Sequence, residues 1–189
     1  GDTILATGKP EERIIRCYHK VKFFKSDLSG KCDSIHSNQG TGLTQMFRNP
    51  VLWSGKSQIT GDLIQLINDV ENDKLDSLKV LKNAFIIDKE SIGFNQNKGR
   101  NLYGKFENND LRFVNIVGNA EVIHFVRDDK KELIGIEKTT CSEIHFVLEE
   151  SQIRSSKFVN QPDGQTYPPS KLPENVRKLR GFLWRESEK

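Results

Sequence analysis

Between Val114 and Val122 the chain alternates. Val114, Ile116, Gly118, Ala120 and Val122 share one face of an extended segment, while Asn115, Val117, Asn119 and Glu121 share the other. Leu78, Val80, Lys82, Ala84 and Ile86 repeat the stripe one unit earlier, with Lys82 breaking it in a way the pattern does not explain. Matching apolar positions recur at Ile35, at Ile64 and Leu66, at Leu102 and Phe106, at Ile144, Phe146 and Leu148, and at Phe158. A period of two predicts strands that each present one apolar face, so stacking them builds a continuous apolar lining.

These strands obey a repeated grammar. The first half of each unit starts polar: Gly1-Asp2-Thr3-Ile4, Lys31-Cys32-Asp33-Ser34-Ile35, Gly61-Asp62-Leu63-Ile64, Gly99-Arg100-Asn101-Leu102 and Thr140-Cys141-Ser142-Glu143-Ile144. Turns rich in Asn, Asp and Glu follow, at 68–73, 107–110 and 149–151. The second half ends in a small-residue corner: Met46-Phe47-Arg48-Asn49-Pro50, Val80-Leu81-Lys82-Asn83-Ala84, Ile116-Val117-Gly118-Asn119-Ala120 and Phe158-Val159-Asn160-Gln161-Pro162. The polar residues at 2, 33, 62, 100 and 142 are separated by 31, 29, 38 and 42 positions, and the asparagines at 49, 83 and 119 by 34 and 36. An irregular period with constant grammar indicates about five stacked strand-turn-strand units with loops of variable length.

Composition agrees. Three alanines and one methionine stand against 11 phenylalanines, which excludes a coiled coil or helical solenoid and favours an all-β chain. Only 35% of residues are hydrophobic, as expected of a stack one unit thick with little interior per residue. No apolar run reaches the ~20 residues of a transmembrane helix. A net charge of +3 lacks the clustered basic excess of a nucleic-acid binder. The sequence from Gly1 shows no charged n-region followed by an apolar h-region, so any signal peptide is expected to have been removed or never present.

Chemistry-bearing residues are sparse. Cys17, Cys32 and Cys141 form no CxxC pair, and Cys32 and Cys141 fall in one repeat slot with two units between them, too far for a disulfide. His36 and His145 each follow a strand aliphatic and so lie on the face opposite the apolar stripe, again in distant units. No Walker loop, nucleophile elbow or zincin motif appears, and the expectation is a non-enzyme with no metal or other cofactor. The tail departs from the grammar. Residues 161–169 read as a turn and stiff linker, Pro173 opens a short helix with Val176 and Leu179 on one face, and Gly181 stops it. The expected division is therefore a repeat domain over 1–165 and a Pro-rich linker with a basic-aromatic cap over 166–189. Phe182, Leu183 and Trp184 sit among Arg177, Lys178, Arg180 and Arg185, either as a cap or as a surface for lipid phosphates or a partner.

The ordered series resembles the OstA/LptA family of lipopolysaccharide transport proteins, in particular OstA-like proteins of Bacteroidetes-type bacteria. The similarity runs from about Asp2 to Arg185 and is carried by the segments 28–34, 49–53, 59–62, 98–101, 161–164 and 180–185, together with the iterated Gly-Asp-x-Ile…Gly-Asn-Ala-x-Val grammar. The resemblance implies an open, twisted antiparallel jelly roll, folded like a taco, whose apolar groove shields the acyl chains of lipopolysaccharide or lipid A. It implies a periplasmic or outer-membrane-associated protein that meets other transport components, or further copies of itself head to tail, through terminal strand edges. The groove would be lined by Ile35, Ile64, Leu66, Leu78, Val80, Leu102, Phe106, Val114, Ile116, Val122, Ile144, Phe146 and Phe158. Periodicity by itself fits a dry structural core equally well. Two other classes also remain: a carbohydrate-binding or carbohydrate-active β-solenoid, built of parallel coils, and a structural assembly protein without a ligand.

Overall fold

The computed structural model describes the chain except residues 26, 27, 109, 129, 150 and 151. Parts of the turns expected at 107–110 and 149–151 therefore lie outside the described residues. The strands are β1 (Thr3–Thr7), β2 (Ile14–Lys25), β3 (Leu28–Asn38), β4 (Leu43–Phe47), β5 (Val51–Ser54), β6 (Ser57–Thr60) and β7 (Leu63–Asp69). Longer strands follow: β8 (Lys74–Glu90), β9 (Gly93–Glu107), β10 (Asp110–Arg127) and β11 (Leu133–Glu149), then β12 (Gln152–Val159) and β13 (Asp163–Tyr167). Among the described residues all thirteen belong to one sheet, and every pairing given for it is antiparallel. Antiparallel pairing replaces the parallel coils that a β-solenoid requires. No helix among the described residues is long and apolar enough to cross a membrane.

One device bends the sheet. Pairs of consecutive residues with positive φ recur at His19-Lys20, Arg48-Asn49, Lys82-Asn83, Gly118-Asn119 and Asn160-Gln161. Where β2, β8 and β10 pass through such a pair, two residues oppose one on a neighbouring strand: Asp33 faces 19–20, Arg100 faces 82–83, and Ser142 faces 118–119. These facing residues belong to the polar-start set of the repeat. The amides of Asp2, Asp33, Asp62 and Ser142 donate to the carbonyls of Tyr18, Arg48, Lys82 and Asn160, at 2.9, 3.2, 3.0 and 3.4 Å. Asn83 also donates to the Asp62 carboxylate at 3.0 Å. Asparagine suits this position because it tolerates left-handed backbone better than most residues. Lys82 is thereby explained. It stands in the bulge of β8, where the alternation is interrupted, and the stripe resumes at Ala84.

The bulges divide the sheet into two walls. The first holds β1, β4, β7, β12 and the portions of β2, β3, β8, β9, β10 and β11 on the Tyr18, Ser34, Leu81, Asn101, Val117 and Glu143 side. The second holds β5, β6, β13 and the remaining portions of the long strands. One face of each wall contributes to a single apolar cluster, so the sheet is folded over on itself as an all-β jelly roll. It remains open at its ends: among the described residues β1 pairs only with β2, while β12 and β13 each pair only with β11.

Two expectations about the tail change. Residues 163–167 form β13 against β11 where a stiff linker was expected. The short helix after Pro173 is a single 3-10 turn, Glu174–Val176, with companions at Pro169–Lys171 and Glu186–Glu188. A longer helix is prevented because the next backbone groups, the Arg177 carbonyl and the Leu179 N–H, are taken by the side chain of Gln96.

Candidate functional site

The stripe predicted from sequence converges on the interior between the walls. Ile64, Val80, Ile116 and Ile144 are fully buried, and Leu66, Leu78, Leu102, Val114, Val122 and Phe146 are nearly so. Ile35, Phe106 and Phe158 are half-buried and pack against this cluster. The second wall contributes Ala84, Ile86 and Ala120 from the predicted stripe, together with Val21, Cys32, Leu52 and Ile59, which lie outside it. The interior is filled by these side chains, and apart from Ile35, Phe106 and Phe158 each is at most 8% exposed. Its free margin on the first wall is softer: Leu75, Phe106, Leu111 and Leu148, far from the corner bulges, are only partly buried.

Small residues let the walls approach at the fold. A Cβ on Gly61 would collide with the Val80 side chain, and one on Gly99 with that of Ile116. Cys32 and Cys141 occupy the equivalent slot of the repeat, immediately before its polar residue. Their role is thus steric. Burial pushes the Cys32 thiol up to about 11 and raises that of Cys141, so neither is poised as a nucleophile.

The second wall turns polar toward its margin. The register places Ser57, Asp88 and Asn95 in one row, and His124 pairs with Glu137 next to it. Ser57 donates to Asp88, Asn95 donates to Glu90 at 3.2 Å, and the Phe125 N–H donates to Asn95 at 2.8 Å. Burial raises the Asp88 carboxyl and lowers the His124 imidazole, the latter against the pull of Glu137 and Glu90. Among the described residues no three His, Cys, Asp or Glu side chains converge as a metal site.

The tail builds a second core, which sequence reasoning missed. Phe85, Ile87, Ile123, Phe125 and Ile136 lie on the outer face of the second wall and pack against Leu172 and Leu179 of the tail, with Val176, Phe182 and Trp184 alongside. Two buried glutamines fasten it. Gln58 donates to the Leu183 carbonyl and accepts from the Arg185 N–H, both at 2.7 Å. Gln96 donates to the Arg177 carbonyl at 2.9 Å and accepts from the Leu179 N–H at 2.8 Å. The available signal was the unbroken apolar run Ala84-Phe85-Ile86-Ile87, which marks a strand covered on both faces.

Arg177, Lys178, Arg180 and Arg185, the basic residues flanking the tail's aromatic cluster, therefore lie across the sheet from the interior. Arg185 is held by Glu188 at 2.8 Å and by the Asn49 carbonyl at 3.1 Å, and Arg177 by Glu174 at 2.8 Å. Lys178 sits 5.1 Å from the centre of the Phe182 ring. Arg180 is exposed and has no side-chain partner among the described residues.

A folded-over antiparallel sheet with an apolar interior has a counterpart among solved structures. LptH from Pseudomonas aeruginosa, described as the LptA-homologous periplasmic component of the conserved lipopolysaccharide transport device, aligns with a TM-score of 0.55 at 12% identity. The alignment covers 75% of this chain and 95% of LptH. The fold is LptA-like. No family model matches the sequence, and no curated protein does.

Proposed function

We propose that this protein is a periplasmic or outer-membrane-associated carrier of lipopolysaccharide or lipid A, holding acyl chains between its two walls without catalysing a reaction. The observation that carries this reading is the apolar interior, which runs through successive strands from Val21 on β2 to Phe158 on β12 within an LptA-like fold. Covering lipid methylene groups is worth about 0.8 kcal/mol each, so a multi-acylated lipid gains tens of kcal/mol from such an interior. Because the lining is packed, loading requires the walls to part. The partly buried margin at Leu75, Phe106, Leu111 and Leu148 is where an acyl chain enters, and the lining from Ile35 to Phe158 receives it. Exposed β1 and the terminal β12 and β13 provide edges for stacking on other transport proteins or on further copies. Lys178 and Arg180, remote from the interior, serve a partner and not the acyl chains.

The test is displacement of an environment-sensitive apolar dye from the intact chain by lipopolysaccharide. Uptake that falls at least tenfold in Phe106→Glu and Leu111→Glu, with melting temperature retained, supports the carrier. Folded protein that takes up neither dye nor lipid sinks it. The tight packing of the interior favours one other reading, an assembly scaffold with a permanently filled core. Concentration-dependent head-to-tail oligomers without lipid uptake would establish that instead.

A further inference from the structure

The outer face of the first wall carries a feature with no part in lipid shielding. The strand registers align one residue from each of nine successive strands into a single row: Arg16, His36, Gln45, Gln65, Lys79, Tyr103, Asn115, His145 and Lys157. Each of the nine can hydrogen-bond, and none is a carboxylate. With about 4.8 Å between strands, the row extends roughly 40 Å along the twisted sheet. Arg16, Gln45, Gln65, Lys79, Asn115 and Lys157 have no side-chain hydrogen bond or ion pair among the described residues, whereas Lys31, Lys89, Lys98 and Lys105 are each paired with a carboxylate elsewhere. The nearest acid, Glu143, stands one row away and binds His145 at 3.2 Å.

The flanking rows are different. Phe47, Leu63, Leu81, Val117 and Val159 stand among Ser34, Asn101 and Glu143 on one side of the polar row, and Ile14, Leu43, Ile67, Phe113 and Val147 among Asn38, Ser77, Lys105 and Ser155 on the other. Tyr103 and Phe113 are 38% and 40% exposed, offering aromatic surface beside the hydrogen-bonding groups. Two surface depressions, of about 330 and 220 Å³, fall on this row: one at Arg16, His36 and Gln45, the other at Lys79, Tyr103 and Asn115.

We propose that this row is a binding track for an extended anionic polysaccharide. Amides and a phenol match sugar hydroxyls, aromatic and aliphatic flanks take the apolar C–H faces of the rings, and three permanent cations with no acid in the row complement carboxylates or phosphates along the polymer. A nucleic acid would need a cation near almost every phosphate, where this row interleaves neutral amides. A membrane surface would meet the apolar flanks first and leave the central amides unpaired. Because the row is on the outside of the wall, its ligand is distinct from any lipid within.

The experiment titrates the intact chain by calorimetry with alginate as the anionic polysaccharide, dextran as the neutral one and a single-stranded oligonucleotide as a generic polyanion. Alginate binds, dextran and the oligonucleotide bind at least tenfold more weakly, and Gln45→Ala/Gln65→Ala/Asn115→Ala weakens alginate at least tenfold with melting temperature unchanged. Lys56→Ala, on a remote turn, has no effect. Equal binding of alginate and the oligonucleotide, or a response to Arg16→Ala/Lys79→Ala/Lys157→Ala with none to the amide variant, overturns the track in favour of unspecific charge attraction. No alginate binding overturns it outright. Saturating lipopolysaccharide leaves alginate binding in place; displacement would overturn a site separate from the interior.

Discussion

The two walls are continuous with one another through the same long strands, yet their outer faces have opposite fates. The outer face of the second wall bears Phe85, Ile87, Ile123, Phe125 and Ile136 and is covered by residues 169–189. The outer face of the first wall bears the Arg16-to-Lys157 row and remains bare. Pleating and pairing are the same on both sides of the corner bulges. What differs is the chemistry at every second position: the second wall gathers an apolar cluster there, whereas the first interposes a polar row between mixed flanks, so less apolar surface collects in one place. An apolar outer face left in water would lose about 25 cal/mol for each Å² it exposes, whereas amides and lysines lose nothing by staying hydrated.

Removing the cover is the most severe way to break this contrast. Deleting residues 169–189 strips Leu172 and Leu179, which are 6% and 3% exposed, from the second core. Losing buried leucines of this kind costs about 2–5 kcal/mol each, and the pair alone approaches the 5–15 kcal/mol that holds a typical domain together. The truncated chain should aggregate or melt without a cooperative transition, as read by circular dichroism and size-exclusion chromatography. The matched insult on the bare face, Arg16→Ser/Lys79→Ser/Lys157→Ser, should leave the melting transition within about 0.5 kcal/mol per site. A truncated chain as stable as the whole would show that the second wall does not depend on its cover.

A single residue type sharpens the same contrast. Gln96 and Gln65 each lie mid-strand on an outer face, in different walls. Gln96 is buried and saturates two backbone groups of the tail. Gln65 is half-exposed and has no side-chain partner among the described residues. Gln96→Ala should cost about 2–4 kcal/mol in urea unfolding, because the buried Leu179 N–H loses its partner at about 1–3 kcal/mol and the partly buried Arg177 carbonyl loses a further bond of about 1 kcal/mol. Gln65→Ala should fall within about 0.5 kcal/mol of the parent. Comparable losses at both positions would erase the distinction between clamp and track.

Most of the architecture is legible in the chain because the repeat writes the bulges twice. The asparagines at 49, 83 and 119 mark the left-handed pairs, and the polar residues at 33, 100 and 142 mark the positions facing such pairs. His19-Lys20 escapes notice because neither residue carries turn chemistry, although the backbone there is the same as at Lys82-Asn83. The apolar stripe leads to the interior, but periodicity cannot show that its side chains touch across the fold. The second core was hidden for another reason. Its glutamines look like any polar strand residue until the tail, more than 80 positions away, comes to lie on them. The polar row is invisible for the same reason, since nine residues spaced irregularly along the chain align only through the registers.

Acid offers the gentlest probe, and within the cover it acts on the last turn, where Glu186 and Glu188 are both held below the ordinary carboxylate range. Glu188 accepts from Arg185 at 2.8 and 2.9 Å and from Lys31 at 2.6 Å, and these bonds, Arg185 first, hold its carboxyl at about 2 against an ordinary 4.5. A depressed folded value means the stabilisation is fully present above pH 4.5 and is lost as pH falls toward and through about 2. The pairs are partly solvated, so the contribution is at most about 1 kcal/mol. Trp184, which donates to Glu186 at 3.1 Å and lies 5.2 Å from the Phe94 ring, reports the release through its fluorescence. Between pH 4.5 and 2, Trp184 emission should shift to the red while hydrogen exchange at Ile64, Val80 and Ile116 stays slow. Glu188→Gln should shift the neutral-pH spectrum part of the way toward the acid one and flatten the remaining change. The bare wall has no acid in its row to titrate. If exchange at Ile116 accelerated together with the Trp184 shift, the cover and the interior would be opening as one unit, and the two outer faces would differ in composition but not in independence.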